Sequence, residues 1–361
     1  MKGLSFVLAV IFAAALWSCG KVETIKDLNS PKKGNKEAEI IAAWIPEKLT
    51  NQNPMLNMGI YKNEIFYVTT KNDTFNVIFC KINGEKLREI SIKKGKGPGE
   101  LQDPFQSYIR NDVLYMYEFD RMMLSMFDLT GKHIEDIQFD GQEVMPFFTD
   151  VHEKTLFFND PLKYRIGSMD ISDVTAPKVL KKLEYENKVA SLEELFKGKP
   201  RIVIPQFDSL SKTVFITQTD NGFSVSRYSE DLALQQEIIS ISGSIMNIGS
   251  YIDATYLYVP EVIDFEKLQK TQKSEIDFRI AVIDKMKGIH VANLVSKKLP
   301  TVKGFITILG EVDGNLVLNL MFFQPDKSLG EFAANEKMKN TESEQWFLVI
   351  KKPVGQDGKI Y

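Results

Sequence analysis

The chain has 361 residues, 43% of them apolar, with 45 Lys and Arg set against 48 Asp and Glu. That balance belongs to a globular protein, and with only two cysteines it excludes disordered, collagen-like and disulfide-scaffold classes. A formal charge of −3 leaves no basic excess to neutralise a phosphate backbone, so nucleic acid is not an expected partner.

The first element is an address. After Met1-Lys2-Gly3 the run from Phe6 to Trp17 is wholly apolar, and too short to cross about 30 Å of hydrocarbon as a helix. It ends Leu16-Trp17-Ser18-Cys19-Gly20, which resembles a bacterial lipobox: an aliphatic residue at −3, a small residue at −1, then the cysteine that takes the lipid. The resemblance implies a signal peptide over residues 1–18, acylation of Cys19 and a membrane partner held through the lipid. Gly20 in place of Asp implies the outer membrane, with the protein facing the periplasm or the surface. An ordinary secretory signal with an incidental cysteine is the other reading. Polar residues 19–37, with Asn29-Ser30-Pro31-Lys32-Lys33-Gly34-Asn35, read as a flexible tether, leaving 38–361 as the folded body.

From residue 38 onward, short β-rich runs alternate with Asn, Asp and Gly turns. A helix is expected only at Ala190 to Lys197. One apolar-aromatic strand recurs with anchors at Ile65, Leu114, Leu156, Val214, Leu257 and Leu316, 42–59 residues apart. A period near 50 with four strands per unit predicts a six-bladed β-propeller of antiparallel blades. Two β-sandwiches in tandem are the alternative. Asn83-Gly84 reads as a two-residue type I′ turn closing the outer hairpin of unit one. The last unit lacks room for a fourth strand, whereas Glu39 to Ile45 has no place in the first. That orphan segment is expected to supply the outer strand of blade six and close the ring, leaving no sheet edge exposed there. Trp44 and Trp346 would then lie on neighbouring strands and pack together.

The stretch Lys94-Gly95-Lys96-Gly97-Pro98-Gly99-Glu100-Leu101, followed by Pro104-Phe105, Tyr115-Met116-Tyr117 and Phe127-Asp128-Leu129-Thr130-Gly131-Lys132, resembles the TolB-like and NHL-like six-bladed propeller lipoproteins of gut anaerobes. The likeness is sharpest over 93–135; the remaining blades match in pattern only. It implies an exported, membrane-anchored propeller and does not imply an enzyme.

Candidate sites fall in three places. Gly95, Lys96, Gly97, Gly99 and Glu100 form a loop whose backbone amides can cradle an anion, or which simply packs blade one on blade two. It lacks the Lys-Ser/Thr pair of a phosphate loop and opens no helix. The longest connections share one face of the expected ring, with Phe265, Phe323 and Phe332 as aromatic candidates for a ligand, and solvated insertions as the bland alternative. Asp150 and Asp208 each precede their anchors by six residues, which places them at one station of adjacent inner strands, facing the channel. Two carboxylates there can hold Ca²⁺ through oxygen ligands, or can end their strands by accepting from nearby amides. His152, two residues from Asp150, allows a His-Asp base without an accompanying nucleophile elbow. Cys80 reads as a buried apolar thiol. The expected function is a lipid-anchored scaffold that binds a protein or carbohydrate through the long-loop face and needs no cofactor. A cation-dependent hydrolase or lyase at the channel is the rival, and a structural role in the envelope a third possibility.

Overall fold

Twenty-four strands in six antiparallel sheets of four form a ring, and the computed structural model describes it over residues 24–47, 56–139, 147–160, 165–184, 202–220, 222–242, 245–246, 249–261, 263–264, 276–333, 338 and 343–353. Blade one holds Met58–Tyr61, Glu64–Lys71, Thr74–Cys80 and Lys86–Lys93, and blade two Pro104–Arg110, Val113–Glu118, Met123–Asp128 and His133–Gln138. Blade three runs Phe147–His152, Thr155–Asp160, Arg165–Asp170 and Lys178–Glu184; blade four Ile202–Asp208, Thr213–Asp220, Gly222–Ser229 and Leu234–Ser242. Blade five has Tyr251–Ile252, Tyr256–Pro260, Arg279–Asp284 and Ile289–Val295. Blade six has Gly304–Val312, Asn315–Asp326 and Ser343–Lys351.

Strand β2 (Glu39–Trp44) is the fourth strand of blade six, antiparallel to Ser343–Lys351, with Glu39 opposite Lys351 and Trp44 opposite Phe347. The ring is therefore closed by its first long strand, as the unplaced segment required. The tandem-sandwich alternative falls with it. Two sheet faces are buried per blade, which is why the second and third strands read as apolar runs, such as Ile65-Phe66-Tyr67-Val68 and Val77-Ile78-Phe79. Each buried cluster lies between neighbours: Phe66, Val77, Ile109 and Phe127 fill the gap between blades one and two, and Trp44, Tyr67, Cys80 and Phe347 the gap between six and one.

Three local expectations are corrected. The turn at Asn83-Gly84 is not type I′. The connection runs from Lys81 to Glu85, Lys81 O accepts from the Gly84 amide at 3.0 Å, the Asn83 Oδ1 accepts from the Glu85 amide at 3.1 Å, and Gly84 alone of the pair has positive φ. Both residues have positive φ at Asn111-Asp112 and at Asp313-Gly314, so the type I′ pairs sit there. Trp44 and Trp346 do not pack together, because their side chains leave opposite faces of blade six. Trp44 meets Phe347 at 4.4 Å on the blade-one side, and Trp346 joins the cluster shared with blade five.

The stretch read as a tether is docked from residue 24 onward. Ile25 bridges Ile239 at the edge of blade four, and strand β1 (Asn35–Glu37) adds a fifth, parallel strand beside Ile289–Val295 of blade five. Leu28 is buried among Phe215, Phe223, Ile238 and Leu257 between those two blades. The tether reading missed this because only Ile25 and Leu28, three residues apart in polar sequence, carry the apolar contact. The helix expected over 190–197 lies outside the described residues, as do the signal segment and Cys19.

Candidate functional site

The glycine loop is filled by its own side chain. Gly95 N–H donates to Leu101 O at 2.9 Å, and the Glu100 carboxylate turns back into the loop, accepting from Gly97 N–H at 3.1 Å and from Lys93 Nζ at 2.5 Å. Those donors hold the Glu100 carboxyl below its usual range, the Lys93 ammonium foremost. A Cβ on Gly95 would lie 1.9 Å from Glu100 Oε2, so glycine there is a condition of the close approach. Arg121 Nη1 then ties Glu100 O at 2.9 Å to Glu118 at 2.8 Å, a carboxylate buried at the head of blade two and also held by the Asp103 amide. Burial raises the Glu118 pKa even so. The anion cradle exists, and its occupant is Glu100; the loop serves as the lock between blades one and two.

Asp150 and Asp208 do not share a station. Asp150 lies opposite Phe157, one residue past its anchor Leu156, but Asp208 lies opposite Thr213, one residue before Val214. The turn at 209–212 has four residues where Glu153-Lys154 has two, so the register of blade four slides by two and Gln206 takes the station that Asp150 holds in blade three. Tyr108 and Tyr251 occupy that station in blades two and five, opposite Tyr115 and Tyr258. Counting back from the anchor cannot see a longer turn.

Both aspartates belong to a belt of charge around the short-turn mouth of the channel. Tyr61 and Lys62 of blade one reach Asp112 of blade two. Arg110 Nε of blade two donates to Asp150 Oδ1 at 3.2 Å, and Asp150 Oδ2 accepts from the Phe207 amide of blade four at 2.8 Å. Lys285 of blade five, with its side chain 2% exposed, pairs with Asp208 of blade four at 2.6 Å and donates to Asp253 O at 2.7 Å. Lys352, after the last strand of blade six, pairs with Asp253 of blade five at 3.0 Å and with Glu311 at 2.6 Å. Burial alone would raise the Asp253 pKa; the amides of Tyr256 and Thr255, the Tyr258 hydroxyl and the Lys352 ammonium outweigh it and hold the carboxyl below its usual range. The same burial and anionic neighbours drive the Tyr251 and Tyr258 phenols well above theirs.

One junction breaks the pattern. Among the described residues no such pair joins blades six and one; beside that gap, at the junction of blades five and six, a cavity of about 630 Å³ opens, lined by Tyr251, Asp253 and Tyr256 of blade five, Glu311, Asp313 and Lys352 of blade six, and Asn63 of blade one. Two aromatic rings beside carboxylates and one ammonium suit a polar, hydroxyl-bearing molecule better than an apolar one. Sequence reasoning missed Lys285 and Lys352 because each sits in a run that reads as solvated charge, Asp284-Lys285-Met286-Lys287 and Lys351-Lys352-Pro353.

The channel aspartates thus face hydrogen-bond donors and cations. Among the described residues no three His, Cys, Asp or Glu side chains converge as metal ligands. His152 stacks on Phe207 at 4.0 Å, and His290 is buried against Ala292 O and Asn293 Oδ1, with burial lowering its pKa. Of the aromatic candidates, Phe332 ends a 3₁₀ turn at Ser328–Phe332, half-buried, with Lys298 Nζ 5.8 Å from its ring. Phe265 and the Phe323 side chain lie outside the described residues.

No protein-family model matches the chain, and no curated protein matches it. Solved structures do. A protein of Bacteroides fragilis described as exported aligns over 88% of this chain and 98% of its own, at 11% identity and a TM-score of 0.55. A member of the DUF4221 family from Bacteroides vulgatus aligns over 87% and 98%, at 14% identity and 0.51. A streptogramin B lyase overlaps less, at 10% identity, 77% and 80% coverage and a TM-score of 0.48, too low to bear on activity. At such identities the likeness establishes the fold.

Proposed function

We propose that this chain is a lipid-anchored propeller of the cell envelope, acylated at Cys19, that binds a protein or carbohydrate through its long-loop face. One observation carries the reading: the connections are elaborated on one face of the ring only. At the short-turn face the inner hairpins take two to four residues, at 62–63, 111–112, 153–154, 209–212, 253–255 and 313–314, and the outer hairpins no more than seven, at 171–177. At the other face the connections include 185–201, 261–278 and 327–342. Variable loops on a rigid ring are where such scaffolds place recognition. The exported Bacteroides neighbour supports an envelope location, and Gly20 after the cysteine, in place of Asp, supports the outer membrane.

The test is binding to an array of envelope glycans and peptides, using the intact chain and a variant lacking Lys267–Ser274. Binding that is lost with the deletion, while the melting temperature holds, is the expected result. Unchanged binding overturns the choice of face. The cation-dependent hydrolase or lyase is the weaker reading, because Asp150 and Asp208 hold Arg110 and Lys285 where a cation would need open oxygen ligands. A thermal shift with Ca²⁺ that a chelator reverses would restore it.

A further inference from the structure

We infer that the rim of blades four and five rests against the lipid surface, held there by a leash far shorter than the sequence advertises. The inference rests on the Cys19 anchor proposed above. A free segment from 19 to 38 would reach about 65 Å when extended, more than a compact domain of this size measures across, roughly 50 Å, and would permit any orientation. The docked chain removes most of that reach. Thr24 Oγ1 donates to Glu237 O at 3.2 Å, Ile25 N–H to Ile238 O at 2.9 Å, and Ser240 N–H to Ile25 O at 3.0 Å. Leu28 is buried, Lys33 N–H donates to Val291 O at 3.1 Å, and β1 continues the attachment along blade five. Only five residue steps separate Cys19 from Thr24, at most about 17 Å.

What lies within that radius suits a bilayer. Met286 and Leu234 are large apolar side chains left 49% and 62% exposed, on blades five and four. Lys26, Lys32 and Lys287, with Asp27 beside them, line the cavity of about 850 Å³ between the docked segment and the Met286 turn, Lys26 lying 3.8 Å from Glu237 and Lys287 3.0 Å from Asp284. Apolar tips among lysines, next to an acyl chain, are the composition that adds membrane affinity to a lipid anchor. Blades one and two lie across the ring, beyond the leash.

The experiment places a fluorophore on single cysteines, Met286→Cys, Leu234→Cys, Leu87→Cys and Ile134→Cys, in the full lipidated protein in vesicles of phosphatidylethanolamine and phosphatidylglycerol carrying nitroxide lipids. Positions 286 and 234 are expected to be quenched at least threefold more than 87 and 134, and twelve Gly-Ser residues inserted between 23 and 24 are expected to equalise all four. Equal quenching without the insertion, or no response to it, overturns the inference. Mass analysis of Cys19 separates the causes. An unmodified cysteine removes the anchor and the inference together, whereas an acylated one with equal quenching removes the inference alone. Amide exchange at 25 and 33–38 reads the docking independently of lipid; exchange at unstructured rates there also overturns it.

Discussion

Strands β1 and β2 come from one continuous stretch, separated by a single residue, yet they meet the ring in opposite ways. Strand β2 pairs antiparallel with the last strand and buries Ile40, Ala42, Ala43 and Trp44. Strand β1 pairs parallel, through Asn35, Lys36 and Glu37, and buries none of them. The first completes two hydrophobic clusters; the second covers a polar edge that would otherwise offer unpaired amides to another chain. The same backbone pairing thus closes the fold in one place and guards it in the other, and side-chain burial decides which.

Removing the burial at the closing strand should have the largest effect. Trp44→Ala empties a cluster shared with Tyr67, Cys80 and Phe347, and is expected to cost about 3–5 kcal/mol in urea unfolding. Cys80 supplies a local readout: burial, followed by the Glu47 charge, pushes its thiol up to about 11, so it should resist alkylation at pH 8 in the native ring. Trp44→Ala should speed that alkylation at least tenfold, and a variant at blade five should not.

Lys352→Ala comes next, at about 3 kcal/mol by melting, because it strands Asp253 and Glu311 beside one another. The pH profile tests the same seam. Since the folded Asp253 carboxyl titrates below its unfolded value of about 3.9, its contribution is complete above that value and disappears as pH falls through the folded pKa. Asp253→Asn should flatten the loss of stability below pH 4, and an unaltered profile would assign that loss to other carboxylates.

On the guarding side the effects shrink. Leu28→Ala should cost about 2 kcal/mol, from the blade four–five cluster, without altering Cys80 reactivity. Glu37→Ala, which removes only an exposed acceptor for the Lys297 amide, should fall within about 0.5 kcal/mol. A larger loss at Glu37 than at Leu28 would invert the comparison.

The ring, its blade count and its closing strand were legible because each depends on a pattern that repeats: an apolar anchor, a tight turn, a missing partner at one end and a spare at the other. The site was not. Asp150 and Asp208 were found as residues but misplaced as a pair, since two additional residues in the 209–212 turn shift register without changing hydrophobic pattern. The Glu100 carboxylate was legible as a loop member, yet nothing local says that it folds inward. Lys285 and Lys352 acquire meaning only when strands far apart in sequence converge, and pairing at that distance leaves no periodic trace. The docked segment failed for another reason: two apolar side chains in a polar stretch fall below any compositional threshold.

Closure by β2 also sets a timetable. Residue 39 waits for residue 351, so a chain synthesised amino end first cannot finish its ring until nearly all of it has been made. Until then β2 at 39–44 has no strand to pair with, and an unfinished wheel invites a sticky edge from the next copy. A cell making this chain would therefore do well to shield β2 until the last strand is in place.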